Sequence, residues 1–194
     1  MKMSKLEKVI VNITTRLRNI KTVEQLFSHI DLGKVKKVLE IGCGVGALSS
    51  YLADKYKWKV TEIDLDPEQI EKAKKYHREN KYLKFLEADA TKLSFENSEF
   101  DMILSFDALH HIPNWDKALN EINRVLRSQG FYILHDLTIP RFSFFKKWSI
   151  VADDIINHLK RNNFKIIYEK KPKINIIGRR FSIISQKSST NYLQ

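Results

Sequence analysis

The chain has 194 residues, of which 43% are hydrophobic and 29% are charged, with four prolines and six glycines. This composition is typical of one globular domain and unlike that of disordered or fibrous proteins. No apolar run approaches the ~18 residues that a membrane span requires, and the N-terminus lacks the pattern of a signal peptide. The only cysteine, Cys43, cannot form an internal disulfide, so we expect a reducing, cytoplasmic location.

The formal net charge of +11 is unevenly distributed along the chain. Residues 1–37 hold nine Lys/Arg and three Asp/Glu, residues 138–194 hold twelve and three, and residues 38–137 hold thirteen and seventeen. Any contact with nucleic acid or an anionic membrane is therefore expected to use the two basic ends. A lysine-rich surface that only keeps the protein in solution is the alternative interpretation.

The sequence pattern predicts helices first and then alternating strands and helices. Capping-box patterns at Ser4 to Glu7 and at Thr22 to Gln25 predict two short amphipathic helices, which form an N-terminal extension or lid over residues 1–33. Over residues 34–187 we predict strands at Val35–Ile41, Lys59–Asp64, Leu83–Ala88, Met102–Ser105, Phe131–Leu137, Lys165–Lys170 and Arg179–Ser185. Helices are predicted at Ala47–Lys55, Pro67–Asn80, Trp115–Arg127 and Trp148–Asn162.

This alternation predicts an α/β fold with a mainly parallel sheet and helices on both of its faces. The last two predicted strands are too close in the chain for a helical crossover, so we expect them to pair antiparallel. Residues 188–194 are predicted to form a tail.

A glycine-rich turn follows the first predicted strand and reads Glu40-Ile41-Gly42-Cys43-Gly44-Val45-Gly46. Glycines there let the backbone turn sharply and expose its N–H groups to a nucleotide-type ligand. The carboxylate of Glu40 would repel a pyrophosphate and attract an ammonium, which S-adenosylmethionine carries. NAD is the competing interpretation, because Gly42, Gly44 and Ala47 also satisfy the dinucleotide pattern.

Several acidic residues at predicted strand ends could contact such a ligand. Asp64 lies about 20 residues beyond the glycines, where an acid can accept both ribose hydroxyls. Glu62 is the weaker ribose candidate, and Asp66, which precedes a proline, is predicted to cap a helix. Asp89 could bind the adenine amino group, and the Ala90 N–H could bind a ring nitrogen. Each acid taken alone could instead be a cap or turn residue.

The glycine turn is the first of five motifs that occur in order between residues 35 and 137. The others are EIDLDPEQIEKAK, EADATKLSF, FDMILSFDALHHI and ALNEINRVL. As a set, they resemble the class I S-adenosylmethionine-dependent methyltransferases and, more narrowly, the type 11 small-molecule group. The resemblance implies a Rossmann-like sheet of seven strands in the order 3-2-1-4-5-7-6, with the last strand antiparallel.

The resemblance also implies S-adenosylmethionine as the cofactor. By position, it places Glu40 and Gly42 beside the methionine moiety and the carbonyl of Ser105 beside the amino group. The complete predicted cofactor set is Glu40, Gly42, Gly44, Gly46, Asp64, Leu65, Asp89, Ala90 and Ser105. One departure is Ser128-Gln129-Gly130, where the family usually has Pro-Gly-Gly, and it puts the turn before the fifth strand in doubt.

Methyl transfer from a sulfonium depends mainly on positioning in a dry pocket, so a catalytic base is optional. Candidates for such a base follow the fourth and fifth predicted strands, and they are Asp107, His110, His111 and His135. His111 and His135 could equally have structural roles. We predict no metal site.

Several absences narrow the methyl acceptor. Residues 105–108 lack the Asn/Asp-Pro-Pro-aromatic clamp of the amine-methylating nucleic-acid enzymes, and Cys43, inside the glycine turn, cannot attack a cytosine. The paired glutamates that arginine methylation requires are also absent. These absences leave a small or lipid-like acceptor, and the aromatic and cationic segment 139–148 lies where the family has a substrate lid. A nucleic-acid-binding or RNA-modifying protein is the alternative function, and the oligomeric state is left open.

Overall fold

The structure is a computed structural model that describes residues 18–42, 44–138, 150–172 and 179–189. At its centre is a sheet whose strands are β1 (Lys37–Ile41), β2 (Lys59–Asp64), β3 (Leu83–Glu87), β4 (Phe100–Phe106), β5 (Leu126–Leu137), β6 (Phe164–Lys170) and β7 (Arg180–Lys187). Their order is β3-β2-β1-β4-β5-β7-β6. Strand β7 is antiparallel to β5 and β6, and the other neighbouring pairs are parallel. The predicted fold class and strand order are confirmed.

Helices cover both faces of this sheet. They are α1 over residues 18–27, α2 (Ala47–Tyr56), α3 (Pro67–His77), α4 (Trp115–Val125) and α5 (Ala152–Arg161), with a 3₁₀ turn at Leu109–His111. One core packs α4 and α5 against the sheet through residues such as Ile122 and Ile155. The other core packs α1 and α2 through Val23 and Leu52. Alternate strand residues face opposite sides, so both cores share the strands between them.

The start of α3 follows the predicted capping pattern. The backbone N–H of Glu68 donates to Asp66 Oδ1 at 2.9 Å, and Pro67 occupies the first helical position. The predicted cap is therefore confirmed. The helix ends at His77 rather than at Asn80, because Asn80 Oδ1 accepts the Tyr82 N–H in a turn that leads into β3.

The boundary between α4 and β5 differs from the prediction. We predicted a helix to Arg127 and a turn before Phe131, whereas β5 already begins at Leu126. Gln129 adopts a left-handed conformation with φ +62°, and its carbonyl accepts from Gln186 Nε2 at 3.1 Å. A Cβ at Gly130 would lie 2.9 Å from the carbonyl oxygen of Asp101. The segment is thus an irregularity inside the strand rather than a turn before it.

Helix α1 also begins earlier than predicted. Its described part starts at residue 18, so the capping pattern at Thr22 lies inside the helix and that predicted start is wrong. Ile20 packs against the same core as Val23, which extends the apolar stripe toward the N-terminus. The helix predicted from Ser4 and the segment 139–148 lie outside the described residues. The division into residues 1–33, 34–187 and 188–194 stays a prediction.

Over the ranges that the structure describes, no helix combines the length and the apolarity needed to cross a bilayer.

Candidate active site

A cleft of about 690 Å³ opens at the carboxyl ends of β1 to β4. Open α/β sheets bind ligands at this edge, where parallel strands end and loops diverge. Among its lining residues are four aspartates and, within the described part of the chain, no lysine or arginine. These aspartates, which define what we call the acidic cleft, are Asp64, Asp66, Asp89 and Asp107.

The glycines of the turn after β1 have different roles in this cleft. A Cβ at Gly42, where φ is +74°, would lie 2.3 Å from the Ala108 Cβ, so the packing excludes any side chain there. A Cβ at Gly44, where φ is +57°, would meet no atom of the described residues within 4 Å, its chain neighbours aside. Gly46 caps α2 with φ +79° and is not among the lining residues. The loop is therefore closed by packing at Gly42 and open toward the cleft at Gly44.

Asp64 holds the glycine loop in place from the end of β2. Its Oδ2 accepts from the Gly44 N–H at 3.0 Å, and its Oδ1 accepts from the Asp66 N–H at 2.9 Å. Each carboxylate oxygen can accept a further bond, so both hydroxyls of a ribose remain possible donors. The next residue, Leu65, is 70% exposed and lines the same cleft. Asp64 and Leu65 therefore both line the cleft, and their contact with the cofactor stays a prediction.

Asp89 and Ala90 line the cleft on the side of β3. Asp89 Oδ1 accepts from both the backbone N–H and the hydroxyl of Thr91, each at 2.8 Å. These two bonds stiffen the loop after β3 and leave Oδ2 without a partner among the described residues. The loop can therefore present one carboxylate oxygen to an amino group.

Two predicted cofactor residues are buried beneath the cleft instead of lining it. The carboxyl group of Glu40 accepts a hydrogen bond from the Ser49 hydroxyl of α2. Its burial raises the pKa to about 7, although the bonds from Ser49 act in the opposite direction. Ser105 is fully buried in β4, between Ile41 of β1 and Leu134 of β5. Glu40 is therefore only partly ionised near neutral pH, and its pull on an ammonium is weaker than the sequence argument assumes.

The two adjacent histidines after β4 have different environments. His111 lines the cleft, and its burial, followed by the proximity of His110, lowers its pKa. The two imidazole rings lie 3.9 Å apart. His110 Nδ1 lies 2.6 Å from Oδ1 of the fully buried Asp136, and its backbone N–H donates to Oδ2 at 3.2 Å. Asp136 thus fixes the ring of His110, which in turn supports His111.

His135 lies away from the acidic cleft. Its Nδ1 is 2.8 Å from the Ser182 hydroxyl of β7, and its burial lowers its pKa. Of the four catalytic candidates, Asp107 and His111 therefore line the cleft. His110 lies behind His111, and His135 is not among the residues that line the cleft.

Sequence reasoning missed the partners of Asp107, which has a left-handed backbone with φ +52°. Its Oδ2 accepts from the Arg18 guanidinium of α1 at 2.7 Å, and its Oδ1 accepts from Arg180 Nε of β7 at 3.0 Å. Residues that are 89 and 73 positions apart leave no local pattern by which such pairs could be found. The part of the chain that the structure describes contains no group of three His, Cys, Asp or Glu side chains placed to hold a metal ion.

Comparison with known proteins identifies the family. The family described as "Methyltransferase domain" matches residues 39–134. A fatty-acid O-methyltransferase of Mycolicibacterium smegmatis is 33% identical over 135 residues, which cover 68% of this chain and 48% of that protein. A phthiotriol/phenolphthiotriol dimycocerosates methyltransferase of Mycobacterium tuberculosis is 38% identical over 111 residues, or 57% of this chain and 40% of that protein.

The fold is also found in solved structures. A putative sarcosine dimethylglycine methyltransferase from Galdieria sulphuraria superposes with a TM-score of 0.79 at 15% identity, over 89% of this chain and 86% of that one. The chain spans about half or less of the length of the two curated relatives. The matched segment carries the glycine turn, Asp64, Asp89 and the histidines after β4. The chain therefore belongs to the class I S-adenosylmethionine-dependent methyltransferases.

Proposed function

We propose that the protein binds S-adenosylmethionine and methylates a small, lipid-like acceptor. The acidic cleft is the observation that supports this most strongly. Its four aspartates surround a glycine loop, and no described lysine or arginine lines it. Because Arg18 and Arg180 neutralise Asp107, the negative charge of the cleft comes from Asp64, Asp66 and Asp89. This charge favours a ligand with a sulfonium and an ammonium over one with a pyrophosphate. NAD therefore fits the cleft less well than S-adenosylmethionine.

We assign residues of the cleft to the methionine moiety, the ribose and the adenine of this cofactor. The open side of Gly44 leaves room for the backbone to approach the methionine moiety. Asp64 would accept the ribose hydroxyls, while Asp89 and Ala90 would contact the adenine. When bound, S-adenosylmethionine supplies an electrophilic methyl group for in-line transfer to the acceptor. The protein's own contribution is to orient both partners and exclude water.

His111 is the residue best placed to accept a proton from the acceptor. It lines the cleft, and its lowered pKa keeps the imidazole neutral at pH 7. We assign His110 and Asp136 a positioning role, because Asp136 holds the ring that packs against His111. An acceptor that is already an anion would not need this base.

The names of the two relatives support a lipid-like acceptor. One is a fatty-acid O-methyltransferase and the other acts on phthiotriol and phenolphthiotriol dimycocerosates. The cytoplasmic location and any contact with nucleic acid or an anionic membrane stay predictions.

Two measurements on the full chain test the proposal. Calorimetric titration should give micromolar binding of S-adenosylmethionine and S-adenosylhomocysteine, with weaker binding of NAD. Tighter binding of NAD would contradict the proposal. With labelled S-adenosylmethionine, label should then appear in lipids of a fatty-acid and hydroxylated-lipid panel.

The same turnover assay tests the role of His111. For an acceptor with a hydroxyl group, His111→Gln should lower kcat by about 100-fold, as expected on removal of a general base. His158→Gln is the matched control, because His158 lies on α5 beside Trp115 and Asn120, away from the cleft residues. Equal kcat values for the two variants would contradict the assignment of His111.

A further inference from the structure

A second cavity, of about 610 Å³, lies between α1 and strands β5, β6 and β7. Its basic lining residues are Lys170 and Arg180, together with the imidazoles of His29 and His135. No aspartate or glutamate is among its described lining residues. We call it the basic cavity, and nothing in the proposed cofactor site uses it.

The positive charge of this cavity is only partly neutralised. Arg180 binds Asp107, but the same carboxylate also binds Arg18, so two guanidiniums share one negative charge. Among the described residues, ion pairs form with the neighbouring Lys171 but not with the ammonium of Lys170. The cavity therefore carries an excess of positive charge next to a partly enclosed space. Lys170 and Arg180 are exposed, so the attraction for an anion comes from two cations that line one cavity without a carboxylate among its described lining residues.

Hydroxyl, imidazole and phenol side chains complete the lining. The Ser182 hydroxyl is bonded to His135 Nδ1, and the buried Nε2 of His135 has no hydrogen-bond partner within the described ranges. The rings of His29 and Tyr168 stack with their centres 4.1 Å apart and form an aromatic wall. The cavity thus combines cationic donors with an apolar surface.

The basic cavity adjoins the acidic cleft at Asp107. Asp107 lines the cleft, and Arg180, which lines the cavity, donates to its Oδ1. The backbone N–H of Asp107 also donates to the carbonyl of His135 at 2.8 Å. The two spaces are therefore neighbours across the Asp107–Arg180 ion pair, and their surroundings are opposite in charge.

We propose that the basic cavity binds an oxyanion, a carboxylate or a phosphate, which the methyl acceptor carries in addition to the group that is methylated in the acidic cleft. Lys170 and Arg180 would donate charge-assisted hydrogen bonds to it, and the rest of the acceptor would extend past Asp107 to the acidic cleft. This inference rests on the proposed function, because it assigns the anion to the molecule that is methylated. It narrows the acceptor class from lipid-like molecules in general to anionic amphiphiles.

Binding of three short probes tests the inference without turnover. Octanoate, octyl phosphate and octan-1-ol are titrated into the full chain by NMR, with and without S-adenosylhomocysteine. At least one anionic probe should bind about tenfold more tightly than octan-1-ol, as one charge-assisted contact implies. Comparison of the two anions shows whether the cavity prefers a carboxylate or a phosphate.

Variants locate the probe. Lys170→Gln and Arg180→Gln should each weaken binding of the anion about threefold or more, on the scale of one partly exposed charge contact. Lys165→Gln is the matched control, because Lys165 is also an exposed lysine on β6 but does not line the cavity. If Arg180→Gln disturbs the fold through Asp107, Lys170→Gln still decides the test.

Three results would overturn the inference: octan-1-ol binding as tightly as both anions, unchanged binding in Lys170→Gln, or displacement of the anion by S-adenosylhomocysteine. Failure of the proposed function has a different signature. In that case S-adenosylmethionine and S-adenosylhomocysteine do not bind, while the anionic probes still bind and respond to Lys170→Gln. That result would contradict methyl transfer and leave the anion site standing.

Discussion

The acidic cleft and the basic cavity are similar in size, about 690 and 610 Å³, but opposite in charge. The cleft takes its aspartates from the ends of β2 to β4, in the part of the chain with more acidic than basic residues. The cavity takes Lys170 and Arg180 from the strongly basic C-terminal part. A net charge of +11 therefore does not describe the site where the chemistry takes place. The fold places the acidic residues of the cleft on one side of Asp107 and the basic residues of the cavity on the other side.

Some variants change the shape of the cleft and leave its charge intact. Among them, Gly42→Ala is expected to have the largest effect on stability. Its Cβ would lie 2.3 Å from the Ala108 Cβ at a backbone φ of +74°. We expect a loss of about 3 kcal/mol or more in the free energy of unfolding, because overpacking and backbone strain add. Urea denaturation measures this loss.

Gly44→Ala is the matched control for Gly42→Ala. Its Cβ would meet no atom within 4 Å in the described part of the chain, its neighbours in sequence aside, so the left-handed backbone is the source of strain, at about 1 kcal/mol. Affinity for S-adenosylhomocysteine should nevertheless fall about tenfold or more, because the added methyl group occupies space that the ligand needs. If both variants lose the same stability, the loop is closed at Gly44 as well and our description of the cleft is wrong.

Removal of charge from the cleft should have an intermediate effect. Asp64→Ala should weaken cofactor binding by about 1.5 to 3 kcal/mol, because it removes a charged acceptor and the support of the Gly44 N–H. Asp66→Ala removes the cap of α3 instead, and should cost about 1 kcal/mol of stability with affinity nearly unchanged. Calorimetry and urea denaturation of both variants decide the assignment, and the reversed pattern would contradict it.

The smallest effect on binding is expected from Glu40→Gln, because Glu40 lies under α2 rather than in the cleft. Affinity for S-adenosylmethionine should change by less than about threefold, or 0.7 kcal/mol. A loss as large as that of Asp64→Ala would mean that the charge of Glu40, and not that of the cleft aspartates, selects the cofactor.

The same variant should change the dependence of stability on pH. The pKa of Glu40 is raised from its usual 4.5 to about 7 in the folded state, so between these values the folded protein holds a proton that the unfolded chain has lost. The wild type should therefore lose stability relative to Glu40→Gln as the pH rises from 4.5 to 7, by an amount on the order of 1 to 3 kcal/mol. Urea denaturation at pH 5 and pH 8 measures the difference, and a constant difference would contradict the raised pKa.

The sequence predicts the sheet well because each strand and helix has its own periodicity, and the family motifs fix the strand order. It fails at β5, because Leu126 and Arg127 extend the pattern of α4, and nothing local predicts the left-handed Gln129. The sequence argument also expects Glu40 to lie in the cleft, whereas Glu40 is buried. The burial of that residue between apolar neighbours of β1 was readable from the sequence, but the contact with Ser49 was not.

The charged contacts around Asp107 could not be predicted at all. Arg18 and Arg180 come from opposite ends of the chain, and their approach depends on α1 packing on one face and on β7 entering the sheet. For the same reason the basic cavity has no sequence signature. Its lysine and its arginine lie on neighbouring strands, where Lys170 pairs with Ser182 in the register of β6 and β7.

The position of β7 has a consequence for how the protein is made. Strand β6 is synthesised before β7, yet it joins the sheet only through β7, which lies between β5 and β6. Until Arg180–Lys187 has left the ribosome, β5 has an unpaired edge that can recruit strands from other chains. A premature stop codon shortly before residue 180 would therefore detach two strands rather than one and yield a polypeptide prone to aggregate.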